Sequence, residues 1–170
     1  MPEHRLWAPW RLQYMRGERA DEGCIFCLAA EAGAGPDRFV LHRGERCLAM
    51  LNAFPYNSGH LMVAPVRHAG SIEDLDTDEL LELMTITQRA LRALRDEYRP
   101  DGFNLGVNLG EIAGAGFADH VHLHVVPRWE ADNNFMPVTA DTRVLPQSLE
   151  DTYAALRGRF SPPPADATPG

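Results

Sequence analysis

Residues 119–128 read Asp-His-Val-His-Leu-His-Val-Val-Pro-Arg. His120, His122 and His124 alternate with Val121, Leu123 and Val125. That is the period-2 pattern of a strand, whose successive side chains point to opposite faces. With the apolar set against a core, the three imidazoles line the other face, roughly 7 Å apart from one to the next. Imidazole is a nucleophile, an acid or base near neutral pH and a metal ligand. Three on one face are costly for a core to hold without a use. On residue types alone three readings are open: a nucleophile with helpers, a three-histidine zinc site that generates hydroxide, or a set of buried, hydrogen-bonded histidines.

A second constellation is Cys24-Ile25-Phe26-Cys27. The two-residue spacing lets both thiolates reach one zinc, which needs two further ligands for a closed tetrahedral site. The alternatives are a reduced, packed pair and a redox pair, and the βαβ context of a redox pair does not follow it. Cys47 is the third cysteine, and an odd count does not favour a disulfide framework.

These groups need a scaffold. Phe39–Leu41 and Cys47–Leu51 read as strands joined through Gly44-Glu45 as a hairpin. Residues 52–59, with Pro55, Asn57, Ser58 and Gly59, must form a loop. His60–Ala64 is a third strand stopped by Pro65, and Phe103, Leu105 and Val107 mark a fourth. Between them Asp76 or Thr77 caps a long helix. Leu80, Met84, Thr87, Leu91, Leu94 and Tyr98 give this helix its core face, and Pro100 stops it. Residues 28–36 read as a loose connection, and residues 110–116 as a glycine-rich loop leading into the histidines. Residues 147–160 read as a shorter C-terminal helix. The order of elements predicts an α+β fold with an antiparallel sheet of about five strands.

A chain of 170 residues suggests one domain, spanning 1–160, with an aromatic and basic N-terminal arm over 1–20 and a proline-rich, disordered tail over 161–170. The net charge of −8 argues against nucleic acid as a partner, while leaving room for a small phosphorylated ligand. No apolar run reaches the ~18 residues needed to span a membrane, and residues 1–5 lack the apolar stretch of a signal peptide, so the expected setting is cytoplasmic.

His120-Val-His122-Leu-His124-Val-Val resembles the His-φ-His-φ-His-φ-φ signature of the histidine triad superfamily. The resemblance extends over roughly residues 4–160 and includes the Cys-Ile-Phe-Cys knuckle, the loop ending in Gly59-His60, the Pro65-Val-Arg-His68 turn and the glycine-rich approach. Arg5-Leu-Trp-Ala-Pro-Trp-Arg11, Gly102 to Gly110 and Pro127-Arg-Trp129 are more restrictive. They look most like the bacterial diadenosine tetraphosphate phosphorylase-like branch, alongside the fragile-histidine-triad proteins.

The resemblance implies a nucleotidyl transferase or hydrolase acting on dinucleoside polyphosphates. His122 would be the nucleophile that forms a nucleotidyl-histidine, and His124 would bind phosphate oxygens or help protonate the leaving group. A carbonyl of the triad or of a nearby loop would orient His122. The resemblance also supplies His68 and His120 as partners for Cys24 and Cys27, giving a structural Cys2His2 zinc site. Asn52 would bind ribose hydroxyls, Phe26 would contact the base, and Asn108 would contact phosphate or the leaving group. Gly116 and His60 complete the substrate-binding candidates. Each has a plainer reading: Asn52 as a turn residue, Phe26 as core, His60 in a structural hydrogen bond. Many triad hydrolases carry a Gly-Gln-Ser or Gly-Gln-Thr approach, but here Ala115-Gly116-Phe117 stands in its place. That removes an amide from the phosphate path and makes inorganic phosphate a plausible acceptor in place of water. A homodimer is implied as well, through the long helix or the edge strands. Readings from other classes are hydrolysis of nucleoside phosphoramidates and a nucleotide-binding regulatory module.

Overall fold

The computed structural model describes residues 23–130, 132 and 147–160. The arm over 1–20 and the tail over 161–170 lie outside the described residues.

Five antiparallel strands form one sheet: β1 (Val40–Arg43), β2 (Cys47–Leu51), β3 (Leu61–Pro65), β4 (Gly102–Val107) and β5 (Leu123–Arg128), in the order β1-β2-β3-β5-β4. Among the described residues three α-helices accompany it: α1 (Ile25–Ala32), α2 (Thr77–Tyr98) and α3 (Leu149–Leu156). Side chains alternate between two cores. Ala49, Leu51, Leu61, Val63, Leu123 and Val125 meet α2 and α3 on one face, and Leu48, Met50, Met62 and Ala64 meet Phe26 and Ala29 of α1 on the other. His124, Val126 and Arg128 of β5 share the α1 side by the same alternation. β2 and β3 are buried along their whole length, which keeps water from the centre of the sheet.

α2 starts as its sequence requires. The Asp76 carboxylate accepts from the Glu79 N–H at 2.8 Å and the Glu79 carboxylate accepts from the Asp76 N–H at 2.9 Å, a reciprocal capping box. Its buried stripe is Leu83, Ile86, Thr87, Ala90, Ala93 and Leu94. This corrects the stripe expected from periodicity: Thr87 and Leu94 are retained, but Leu80 and Met84 are exposed. The small Ala90 and Ala93 let the helix approach the sheet closely.

Four boundaries also differ from expectation. β1 begins at Val40, because Phe39 has a φ of 53° and the strand carries an irregularity between Val40 and His42. β3 begins at Leu61, so His60 sits at the mouth of the loop, and Pro65 is its last residue. Residues 28–32 are helical, as alanine favours, and Gly33 with a φ of 73° ends the helix. β5 begins at Leu123, so His120 and His122 stand on the segment entering the strand. At the β1–β2 turn the Glu82 carboxylate accepts from the Glu45 and Arg46 N–H groups at 2.9 and 2.6 Å. Among the described residues no helix is long and apolar enough to cross a membrane.

Candidate active site

The two constellations meet at the start of β5. His120, fully buried, donates its Nε2–H to the Pro65 carbonyl at 2.9 Å, so the lone pair sits on Nδ1. That atom lies 3.2 Å from Cys24 Sγ and 3.7 Å from Cys27 Sγ, and His68 Nδ1 lies 3.3 Å from Cys27 Sγ. The four ligand atoms all fall within 4.8 Å of one another. Zn–S bonds of about 2.3 Å and Zn–N bonds of about 2.0 Å place tetrahedral S and N ligands roughly 3.5 Å apart. The residues therefore fit a tetrahedral ion with little movement. Burial lowers the His120 pKa, which favours the neutral, metal-binding imidazole, and it raises that of the Cys27 thiol.

Tertiary contacts hold the ligands in place. Arg67 grips the buried Glu79 with Nε and Nη2 at 3.0 and 2.8 Å, fixing the turn before His68. The Val121 N–H donates to the Ala69 carbonyl at 2.7 Å, joining that turn to the histidine segment. This cluster is the one metal-capable group of three or more His, Cys, Asp or Glu side chains among the described residues. Among the described residues the three triad imidazoles do not share one metal-capable cluster: His120 groups with Cys24, Cys27 and His68, and His122 and His124 lie outside that group.

His122 donates Nδ1–H to the His120 carbonyl at 2.8 Å, so its Nε2 carries the lone pair and has the electronic form of a nucleophile. It is 4% exposed, and burial lowers its pKa, keeping it neutral. Phe26, fully buried, packs on both rings, with centroids 4.9 Å from His120 and 4.7 Å from His122. Its position is that of a buttress between the Cys24–Cys27 knuckle and His122.

His124 is held by a relay. The Tyr56 N–H donates to His60 Nδ1 at 3.0 Å. A neutral imidazole that accepts at Nδ1 carries its proton on Nε2, so His60 donates Nε2–H to His124 Nδ1 at 3.0 Å. His124 in turn carries its proton on Nε2. Its pKa is pushed down to about 4, first by burial and then by His122 beside it. The His122 and His124 ring centroids are 4.8 Å apart. A neutral lone-pair nitrogen and a neutral N–H donor thus stand on neighbouring rings.

The remaining candidates lie around this pair. Asn52 accepts the Phe54 N–H on Oδ1 at 2.9 Å, the geometry of a turn residue. Its Nδ2 is 3.4 Å from His60 Nε2. Since both atoms carry protons, we read this as proximity without a hydrogen bond. Asn108 and His124 line one groove, and Asn108 donates to the Gly114 carbonyl at 3.4 Å. Gly116 lies half-buried in the turn before His120. Sequence reasoning passed over the Pro65 carbonyl, the Tyr56 N–H and the side chains of Asn57 and Asn104. The Asn52–Gly59 loop had too many turn formers for any one of them to stand out.

Residues 35–131 match the HIT domain family. The chain is 40% identical over 167 residues to the AP-4-A phosphorylase of Mycobacterium tuberculosis, covering 94% of this chain and 86% of the relative. It resembles the crystal structure of a hypothetical histidine triad nucleotide-binding protein from Sulfolobus tokodaii, with a TM-score of 0.65 and 26% identity, covering 81% of this chain and 91% of that one. It also resembles a zinc-bound histidine triad family protein from Mycobacterium smegmatis, with a TM-score of 0.63 and 26% identity, covering 84% and 96%.

Proposed function

The chain belongs to the HIT domain family, and we propose that it cleaves dinucleoside polyphosphates through a nucleotidyl-histidine intermediate. The similarity to AP-4-A phosphorylase points to inorganic phosphate as the acceptor. His122 Nε2 attacks the α-phosphorus, an N–P bond forms, and the bond to the leaving polyphosphate oxygen breaks. Phosphate oxygen then attacks the same phosphorus and His122 leaves, so diadenosine tetraphosphate and phosphate give ADP and ATP.

The observation that carries this reading is the pair of opposite tautomers: lone pair on His122 Nε2, proton on His124 Nε2. The depressed His124 pKa gives that donor a particular use. A neutral imidazole stabilises phosphoryl or leaving oxygens by hydrogen bonding, and it is a poor source of a full proton. A polyphosphate departs well as an anion, whereas an amine must be protonated. Gly116 stands where many triad hydrolases carry an amide, which favours phosphate over water as acceptor. Asn108, beside His124, is assigned to phosphate or leaving-group contact, Asn52 to ribose, and the Gly116 turn to the approach of phosphate.

Zinc held by Cys24, Cys27, His68 and His120 would be structural, since four protein ligands leave no place for substrate. Reduced thiols of this kind suit a cytoplasmic setting. Leu80, Leu81 and Met84, exposed on α2, and the outer strand β4 offer surfaces for a homodimer.

The deciding experiment incubates the purified protein with diadenosine tetraphosphate, with and without phosphate, alongside His122→Ala. The expected result is phosphate-dependent ADP and ATP, abolished by the substitution. AMP and ATP formed without phosphate would assign hydrolysis instead. Turnover that survives in His122→Ala would exclude the covalent route.

A further inference from the structure

Beyond His124 the same sheet face continues into a groove of about 340 Å³, at the lower end of the ~300–1,000 Å³ typical of small-molecule sites. Its floor is His124, Val126 and Arg128 of β5, with Asn104 and Gly106 of β4 paired opposite Val126 and His124. Tyr56 stands on its rim. Arg128 lies four residue steps along the strand from His124, roughly 13 Å.

One residue leaves the groove open beside His124. Gly106 faces His124 across the β4–β5 pair, and a Cβ built there meets no atom within 4 Å. Its backbone lies outside the left-handed region, so no conformational need calls for glycine there. Any longer side chain would occupy the space over His124.

The far end is polar but close to neutral. Arg128 donates Nε–H and Nη2–H to both oxygens of Asp132 and Nη1–H to Asn104 Oδ1 at 2.8 Å. Asn57 donates to Asp132 at 2.9 Å. The Asp132 carboxyl is held down at about 2, first by the hydrogen bond from Arg128, so the pair stays ionised and self-compensated. Such an end suits an uncharged heteroaromatic group better than a phosphate. Two of the five guanidinium N–H bonds remain uncommitted among the described residues. With the Asn104 amide and the Tyr56 ring, they match the edge and face of a nucleobase.

We propose that this groove is the subsite for the leaving half of the substrate, with polyphosphate over Gly106 and Val126 and the second nucleoside at Arg128, Asn104 and Tyr56. The assignment rests on the dinucleotide reading above. It makes Gly106 a specificity-determining residue: the open position distinguishes a dinucleotide from a mononucleotide.

The test is direct binding to His122→Ala, which cannot turn substrate over, with diadenosine tetraphosphate and AMP as the two probes. The expected result is a dinucleotide affinity at least about tenfold above that of AMP, a gap of about 1.4 kcal/mol. Adding Gly106→Leu should remove most of that advantage, weakening diadenosine tetraphosphate by a larger factor than AMP. Adding Asn104→Ala, which fills nothing, should remove a smaller part and keeps the test valid if the leucine disturbs β4. Equal affinities for the two ligands, or equal losses of both in Gly106→Leu and none in Asn104→Ala, would overturn the subsite while leaving the dinucleotide enzyme intact. Failure of both ligands to bind would overturn the proposed function and the subsite with it.

Discussion

Replacing His60 tests whether tautomer control by the relay is part of the chemistry. His60 is fully buried, accepts from the Tyr56 N–H and donates to His124 Nδ1, each at 3.0 Å, and stacks on Tyr56 at 5.0 Å. His60→Ala removes the His60 acceptor of the Tyr56 N–H and opens a cavity. The lost hydrogen bond costs about 0.5–1.5 kcal/mol net, the lost stacking about 0.5–1.5 kcal/mol, and the cavity about 1 kcal/mol. A total near 2–4 kcal/mol is survivable for a domain with about 5–15 kcal/mol of stability. Activity should suffer more. A hydrogen bond worth about 1 kcal/mol biases the His124 tautomer roughly fivefold, and its loss also frees the ring to turn. Removing a preorganised donor outright costs about 10²–10³ in kcat, so a donor left present but unfixed should cost roughly 10–10². KM should change little. His60→Gln places an amide N–H near the position of Nε2–H, and should recover most of the loss. Nitrogen chemical shifts of His124 report the same event: Nδ1 unprotonated in the native protein, mixed in His60→Ala. A folded His60→Ala enzyme with activity within threefold of native, or equal losses in Ala and Gln, would refute tautomer control.

Three further outcomes follow from the same geometry. Metal analysis should find one zinc per chain, and His68→Ala or chelation should lower the melting temperature by roughly 10 °C, the effect of about 3–5 kcal/mol in a chain of this size; an unchanged melt in zinc-free protein would exclude a structural ion. His124 is held near 4, below 6.5 for free imidazole. The unfolded chain therefore takes up the proton first, and stability present above pH 6.5 is lost as pH falls towards 4, by at most about 3 kcal/mol and by less to the extent that the ring meets solvent. Because zinc ligands also titrate in acid, the measurement is the difference in stability slope between native protein and His124→Asn, and identical slopes would contradict the buried, neutral ring. Gly59 has a φ of 81°, and an added Cβ would sit 2.8 Å from Leu94 Cδ2, so Gly59→Ala should cost about 1–3 kcal/mol by chemical denaturation.

The sheet was legible because Cys47–Leu51, His60–Ala64 and Phe103–Val107 are short runs of strand-forming residues between turn formers, close to the observed strands. The face of α2 was only half legible, because the helix carries two apolar stripes. Leu80, Leu81 and Met84 are as hydrophobic as Leu83 and Ile86, and only the position of the sheet decides which set is buried. The entry into β5 was over-read. Alternation does place the imidazoles on one side, but pairing with β3 and β4 starts at Leu123, after His120 and Val121 have spent their polar groups on Pro65 and Ala69. The metal cluster followed from family resemblance. The His60–His124 contact, between residues 64 apart, needed the folded chain.

The spacing of the first two triad histidines then has a local reason. His120 uses three polar groups at once. Its Nε2–H goes to Pro65, its Nδ1 faces the cysteine thiols, and its carbonyl accepts from His122 two residues on. The peptide that carries the proposed zinc ligand thus also sets the tautomer of the proposed nucleophile. Phe26 makes a second link, since it sits between Cys24 and Cys27 in sequence and against both imidazoles in space. A metal site placed elsewhere would steady the fold equally well. Placed here, a zinc ion would fix the one backbone carbonyl on which the lone pair of His122 depends.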